Sequence, residues 1–140
     1  MSETDDTIRF SVSLPRPLLE ELDRQLIRPG YTSRSEFVRD LIREKMVEAA
    51  WEGAEEGVMG VLTIIYDHHQ RDLSQRIIDV QHRGFVHVLC ATHVHMDESN
   101  CLETIVLQGR PAEIEHISNE IGGLRGVRFA RLTRASQLSV

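Results

Sequence analysis

Three side chains that could bind a metal stand close together in the sequence: His93, His95 and Cys101. Residues two apart on a strand share a face, so His93 and His95 would point the same way from an extended Val86–His95. The five-residue turn Met96-Asp97-Glu98-Ser99-Asn100 brings a second strand, Cys101–Leu107, back against the first. That register sets His95 opposite Cys101 and His93 opposite Glu103, with all four on one face of one hairpin. Two imidazoles and a thiolate suit a borderline-to-soft divalent ion. Glu103 would stand behind them, accepting a ring N–H and fixing the tautomer. The plainer explanations are histidines on a surface strand and a cysteine acting as a small buried hydrophobe. They account for the shared face only by chance.

A closed site needs a fourth donor. His82, just past a helix, is the candidate, but register does not place it, and a solvated helix-end histidine accounts for it equally well. His87 reads as lying on the same strand face as His93, too far along the strand for one mononuclear site. Cys90 points to the opposite face and reads as core. His68, His69 and His116 have no usable spacing. Tetrahedral geometry at such a site would suit zinc; square-planar geometry would suit nickel or copper.

The elements that must hold these donors follow from pattern. Val58–Tyr66 is apolar and β-branched, a strand. Asp72–Gln81 is a helix with Leu73, Ile77, Ile78 and Val80 as apolar positions. Val86–His95 and Cys101–Leu107 form the hairpin. Pro111–Gly122 is a helix opened by proline and closed by glycine, and Val127–Leu132 is a last strand. The order βαββαβ is the ferredoxin-like arrangement.

The N-terminal third differs. Ile8, Phe10, Val12 and Leu14 alternate with Arg9, Ser11 and Ser13, a half-buried strand. Pro15 and Pro17 open a helix that Pro29-Gly30 ends. Ser33-Arg34-Ser35-Glu36 has capping-box spacing and starts a second helix, with Val38, Leu41, Ile42 and Met46 as its apolar positions. One strand and two helices bury too little to stand alone, and the strand has no mate in its own chain. A dimer in which two copies pair as a ribbon resolves both difficulties. Its polar stripe would enter a DNA major groove, with Arg9 bidentate to guanine and Ser11 and Ser13 donating or accepting. The helix start near Ser33 to Ser35 offers backbone N–H groups to phosphates. The expected domains are 1–52 (βαα), a linker 53–57, and 58–140 (βαββαβ), an α+β chain.

Bulk properties bound the function. The 140 residues carry a net charge of −6, which does not by itself point to nucleic acid. Residues 7–50 are near neutral, with eight basic against seven acidic side chains, so any DNA contact must be local. No apolar run is long enough to span a membrane, and the acidic start is unlike a secretory signal, so the expected setting is the cytoplasm. Two cysteines, Cys90 and Cys101, make no disulfide framework. Glu36, Asp40 and Glu44 recur at four-residue spacing; the residues alone read as a solvated helix face balanced by Arg39 and Arg43.

Taken together, these pieces resemble the nickel-responsive ribbon-helix-helix regulators (the NikR type). The resemblance rests on Arg9-Phe10-Ser11-Val12-Ser13, Gly30-Tyr31-Thr32-Ser33-Arg34-Ser35-Glu36, Arg71-Asp72-Leu73, Gln81-His82, His93-Val94-His95 and Cys101-Leu102-Glu103. It implies an ACT-like C-terminal domain and a homotetramer built as a dimer of dimers. It implies one square-planar Ni2+ per chain, held by His93, His95 and Cys101 of one subunit and His82 of another. Gln81 and Glu103 would support those ligands, and Glu36 and Asp40 would hold an additional hard cation between domains. Arg9, Ser11, Ser13 and Arg71 would contact a palindromic operator, and the chain would repress nickel uptake genes when nickel is plentiful. Three departures bear on DNA: serine stands at 11 and 13 where threonine is common, Gln70 stands where some members have lysine, and the arm before Thr7 is acidic. The competing reading is a ribbon-helix-helix regulator whose ACT-like domain senses a small organic ligand such as an amino acid. An enzyme is disfavoured, because four protein ligands leave a metal no open position. A metal-storage protein would leave the N-terminal third unexplained.

Overall fold

The computed structural model describes residues 6–54 and 57–136. The chain divides into two compact units between Ile42 and Arg43.

In the first unit, α1 spans Arg16–Ile27 and α2 begins at Arg34, running on to Glu52. The Pro15 carbonyl accepts from Leu18 and Leu19 N–H, at 3.0 and 3.1 Å, so the proline opens the helix as expected. Gly30 has φ 76°, the left-handed conformation that glycine tolerates, where the chain turns after α1. Ser33 Oγ accepts the Glu36 backbone N–H at 3.1 Å, one half of a capping box. The Glu36 carboxylate instead takes Thr32, through its backbone N–H (3.2 Å) and its hydroxyl (2.9 Å). Arg34 and Asp23 pair through two bonds of 2.8 Å, tying α1 to the start of α2.

The expected strand Ile8–Leu14 is not formed in the single chain. Ladder hydrogen bonds need a neighbouring strand, and this unit has none to offer among its described residues. Its apolar stripe is open, with Ile8 82% and Phe10 66% exposed, and α1 buries no residue.

The second unit contains β1 (Val58–Asp67), α3 (Leu73–Arg83), β2 (His87–His95), β3 (Asn100–Gly109), α4 (Pro111–Gly122) and β4 (Val127–Ala135). The strands form one sheet in the order β2-β3-β1-β4, all neighbours antiparallel. This is the ferredoxin-like, ACT-like arrangement expected. Leu62, Ile64 and Tyr66 of β1 and Cys101, Ile105 and Leu107 of β3 form the core with Leu73, Ile77 and Val80 of α3 and Ile114, Ile117 and Ile121 of α4. The helices therefore cover one face of the sheet. The other face is open in the single chain, with Val94 and Phe129 each nearly half exposed.

Trp51, read from sequence at the end of the N-terminal domain, is fully buried in this core. Its indole N–H donates to the Ala135 carbonyl at 3.0 Å. A Cβ at Gly60 would meet Leu132 at 3.0 Å and Trp51 at 3.4 Å, so glycine there lets the indole approach the sheet. Among the described residues no helix is long and apolar enough to cross a membrane.

Candidate metal centre

The β2–β3 hairpin pairs His95 with Cys101 and His93 with Glu103. Cys101 in turn pairs with Tyr66 across β3 and β1, and Glu103 with Ile64. Directly paired residues share a face, so His93, His95, Cys101, Glu103 and Tyr66 all lie on the helix-covered side. The turn is braced to keep that register. Met96 N–H donates to the Asn100 carbonyl at 2.9 Å. Asp97 Oδ1 accepts the backbone N–H groups of Ser99 and Asn100, at 2.8 and 2.7 Å. The Asn100 side chain and these two amides pull the Asp97 carboxyl down to about 2, so it stays an acceptor. Arg128 donates to Asn100 Oδ1 at 2.8 Å, fastening the turn to β4.

The tightest donor cluster contains a residue that sequence spacing did not offer. Cys101 Sγ lies 3.3 Å from His68 Nδ1 and 3.4 Å from His95 Nδ1. The three donor atoms all fall within 4.8 Å of one another. An ion with bonds of about 2.3 Å to sulfur and about 2.0 Å to nitrogen sets neighbouring donors ~3.1 Å apart at right angles and ~3.5 Å apart at the tetrahedral angle. Both sulfur–nitrogen separations lie within that span, so the thiol and its two imidazole neighbours are spaced as metal ligands are. His68 arrives from the β1–α3 connection, where its backbone N–H donates to the Ser99 carbonyl at 3.0 Å. The neighbouring His69 ring makes a 2.7 Å bond with the Glu98 carbonyl. The connection is thus stitched to the hairpin turn, a long-range contact with no sequence periodicity to announce it.

His93 is turned toward Tyr66. Its Nδ1 lies 3.2 Å from the Tyr66 hydroxyl and 4.0 Å from Glu103 Oε2, while its ring centroid is 5.1 Å from that of His95. With Nδ1 protonated, His93 donates to the tyrosine oxygen and keeps Nε2 as a free lone pair for a metal. Burial, followed by the negative charge of Glu103, pushes the Tyr66 hydroxyl up to about 12, so it remains a phenol. Burial, then Glu103 and Asp97, also push the Cys101 thiol up. A metal bound there must displace the thiol proton.

The other expected site residues lie apart from this cluster. His82 is exposed near the end of α3 and lines a groove with Arg76, Asp79, Arg83, Glu120 and Leu124. Gln81 beside it is buried, and its Nε2 has no hydrogen-bond partner among the described residues. Buried amides are nearly always paired, so this nitrogen is an exception in the core beside α3. Arg9, Ser11, Ser13 and Arg71 are exposed. Glu36 caps Thr32, and Asp40 Oδ2 accepts the Tyr31 hydroxyl at 2.8 Å.

Two expectations need correction. The pairing shifts between Val88 and Cys90, a bulge at Leu89, so His87 pairs with Gln108 and faces away from the helices, opposite to His93. Cys90 does face away from the histidines, but it is exposed and not core, because that sheet face has no helix on it. Tyr66 was not read as a site residue, yet its position opposite Cys101 follows once β1 is paired with β3.

The chain matches known families along most of its length. The profile of the NikR C-terminal nickel binding domain matches residues 59–135, and that of the ribbon-helix-helix protein, copG family, matches residues 8–48. A nickel-responsive regulator from Helicobacter pylori is 60% identical over 138 residues, covering 96% of this chain and 93% of that one. One from Helicobacter acinonychis is 58% identical over the same shares. One from Helicobacter hepaticus is 60% identical over 136 residues, covering 93% of this chain and 95% of that one. All three relatives carry the description of nickel-responsive regulators. With a ribbon-helix-helix DNA-binding domain before a nickel-binding ACT-like domain, the chain belongs to the nickel-responsive family of transcription regulators.

Proposed function

We propose that this chain represses nickel uptake genes in the cytoplasm by binding a palindromic operator when nickel is present. The observation that carries the reading is the cluster of imidazoles around Cys101 on the helix side of the β2–β3 hairpin. The sensing form is one square-planar Ni2+ per chain, with His93, His95 and Cys101 from one subunit and His82 from another. The exposed position of His82, away from the Cys101 cluster, supports a ligand that reaches across a subunit boundary. Glu103 and Gln81 would orient the ligands. A hard cation held by Glu36 and Asp40 belongs to the same proposal and would have to displace their bonds to Thr32 and Tyr31.

The assembly is a homotetramer, a dimer of ribbon dimers. The open stripe Ile8, Phe10, Val12 and Leu14 and the uncovered sheet face are the surfaces that copies of the chain would bury. Pairing of two N-terminal segments turns Arg9, Ser11 and Ser13 outward to read bases, and Arg71 near the start of α3 would meet DNA backbone. Nickel, when bound, would join side chains of two subunits. The order gained there reduces the entropy lost when DNA is bound, so each ligand strengthens the other.

The test is operator binding. A duplex selected from random sequence is titrated with the protein, with and without nickel, for wild type and Cys101→Ser. Nickel should tighten wild-type binding by roughly 5- to 150-fold, the usual scale of allosteric coupling. The variant should bind with the metal-free affinity in both conditions. Equal binding with and without nickel overturns the proposal, and a response to an amino acid instead would install the small-ligand reading.

A further inference from the structure

α2 changes faces along its length. It runs unbroken from Arg34 to Glu52, yet the boundary between the two compact units falls inside it, between Ile42 and Arg43. Val38, Leu41 and Ile42 mark one apolar side before that boundary, and Leu41 and Ile42 stay exposed in the single chain. Val47 and Trp51, four residues apart and so on one face, pack into the core of the second unit. Val47 stands nine residues past Val38, about two and a half helical turns, which puts the second apolar side opposite the first.

Trp51 is gripped by more than one element. Its indole N–H donates to the Ala135 carbonyl of β4, and the missing side chain of Gly60 makes room for the ring on β1. The Arg134 guanidinium carbon lies 5.7 Å from the ring centroid and is itself held by Glu115 of α4 at 2.8 Å. Gly60 also begins a row. Gly60, Leu62, Ile64 and Tyr66 alternate along the helix-covered face of β1, and the last three are buried. Trp51 packs over one end of that row. At the other end, about 20 Å away, Tyr66 pairs with Cys101 and meets His93. Close-packed interiors give little, so a change fixed at one end of the row is felt at the other.

We propose that Trp51 is the positioning residue that passes the state of the metal centre to the DNA-reading unit, by seating the last turns of α2 on the far end of β1. The inference rests on the nickel-site reading above and adds to it the route of coupling. A metal that fixes His93 also fixes the Tyr66 hydroxyl, and with it β1 and the seat of the indole. The unbroken helix carries that constraint back past Arg43. Trp51 itself acts through α2 and β1, so its loss should separate nickel binding from nickel response.

The experiment uses full-length protein and an operator duplex selected from random sequence. Nickel affinity is measured by competition with a chelator, and operator affinity with and without nickel, for wild type, Trp51→Phe and Arg134→Gln. Trp51→Phe keeps an aromatic ring in the core, Arg134 is partly exposed, and circular dichroism confirms that both variants fold. Both should bind nickel within about twofold of wild type. The nickel-induced tightening should fall by about threefold or more in Trp51→Phe, within the two- to twelvefold scale of one hydrogen bond. In Arg134→Gln it should fall by about twofold or more, the scale of one cation–π contact. The chain has one tryptophan, so in wild type acrylamide quenching of its fluorescence lifetime reads the seat alone; the indole should stay shielded when nickel and operator are bound. Wild-type tightening in both folded variants overturns the inference. Equal weakening with and without nickel also overturns it, since a role in folding alone would do that. So does an indole that opens to acrylamide when nickel and operator bind. An absence of nickel tightening in wild type is told apart from these, because there the sensing reading fails first and the inference falls with it.

Discussion

Replacing Tyr66 by phenylalanine should weaken nickel binding about tenfold while leaving the fold nearly as stable. Tyr66 is 2% exposed, and the aromatic ring that fills the core is kept by phenylalanine. What is lost is the hydroxyl, 3.2 Å from His93 Nδ1. A single hydrogen bond of this kind contributes about 0.5–1.5 kcal/mol net, or roughly two- to twelvefold in a binding constant. Groups that orient a metal-bound histidine are worth ~10–100-fold. The His93 side chain is 42% exposed, so water can replace part of the lost bond, and the lower end of that range applies. The assay is competition for nickel against a chelator of known affinity, paired with thermal melts of metal-free protein. With its ionisation pushed up to about 12, the Tyr66 hydroxyl keeps its proton throughout ordinary assay conditions. The deficit should therefore be flat between about pH 7 and pH 9. An unchanged affinity in a protein that melts normally would refute the positioning role. A deficit that grows steeply over that pH interval would show that the phenol is not the protonated partner described here.

Other perturbations test separate parts of the structure. Trp51→Ala should destabilise the C-terminal unit by about 3–5 kcal/mol in urea unfolding, because it empties a core position and strands the Ala135 carbonyl; a loss below about 1 kcal/mol would contradict its place in that core. Glu103→Gln keeps the shape but removes a charge that raises both Tyr66 and Cys101, so the Cys101 thiol should ionise at lower pH, read by its absorbance near the thiolate band; no downward movement would argue against that coupling. The Asp23 carboxyl is held below its ordinary 3.8 by its hydrogen bonds from Arg34. The pair's contribution is therefore complete above that value and fades as pH falls through the lowered one. Asp23→Asn should erase this acid dependence in melts of the N-terminal helices, and an unaltered acid profile would remove the pair from the account.

Much of the site could be read from the chain because it is local. A turn of known length fixes the pairing of the strands it joins, which is why His95 opposite Cys101 and His93 opposite Glu103 could be counted out. The same counting failed at His87, where the bulge at Leu89 reverses the faces of what precedes it, and no glycine or proline marks the spot. His68 was invisible for a different reason: it reaches Cys101 through a connection anchored on Ser99 and Glu98, a tertiary contact without a period. Cys90 was placed on the correct face but given the wrong burial, since alternation says which side a residue takes and not whether that side is covered. The segment Ile8–Leu14 carries a strand pattern and forms no strand in one chain, because a strand needs a neighbour to pair with and the described residues of this unit offer none. The apolar period of α3 and α4 was legible because one helical face meets one sheet face.

The central claim is that the imidazoles around Cys101 form a nickel-sensing centre. Its most direct test is a titration of metal-free protein with nickel, followed by absorption and native mass spectrometry for wild type and Cys101→Ser. The account predicts one nickel per chain, a thiolate-to-metal band and a square-planar spectrum in the wild type, with the band gone and the affinity down by about 100-fold or more in the variant. A weak octahedral signal that the serine variant reproduces would contradict it.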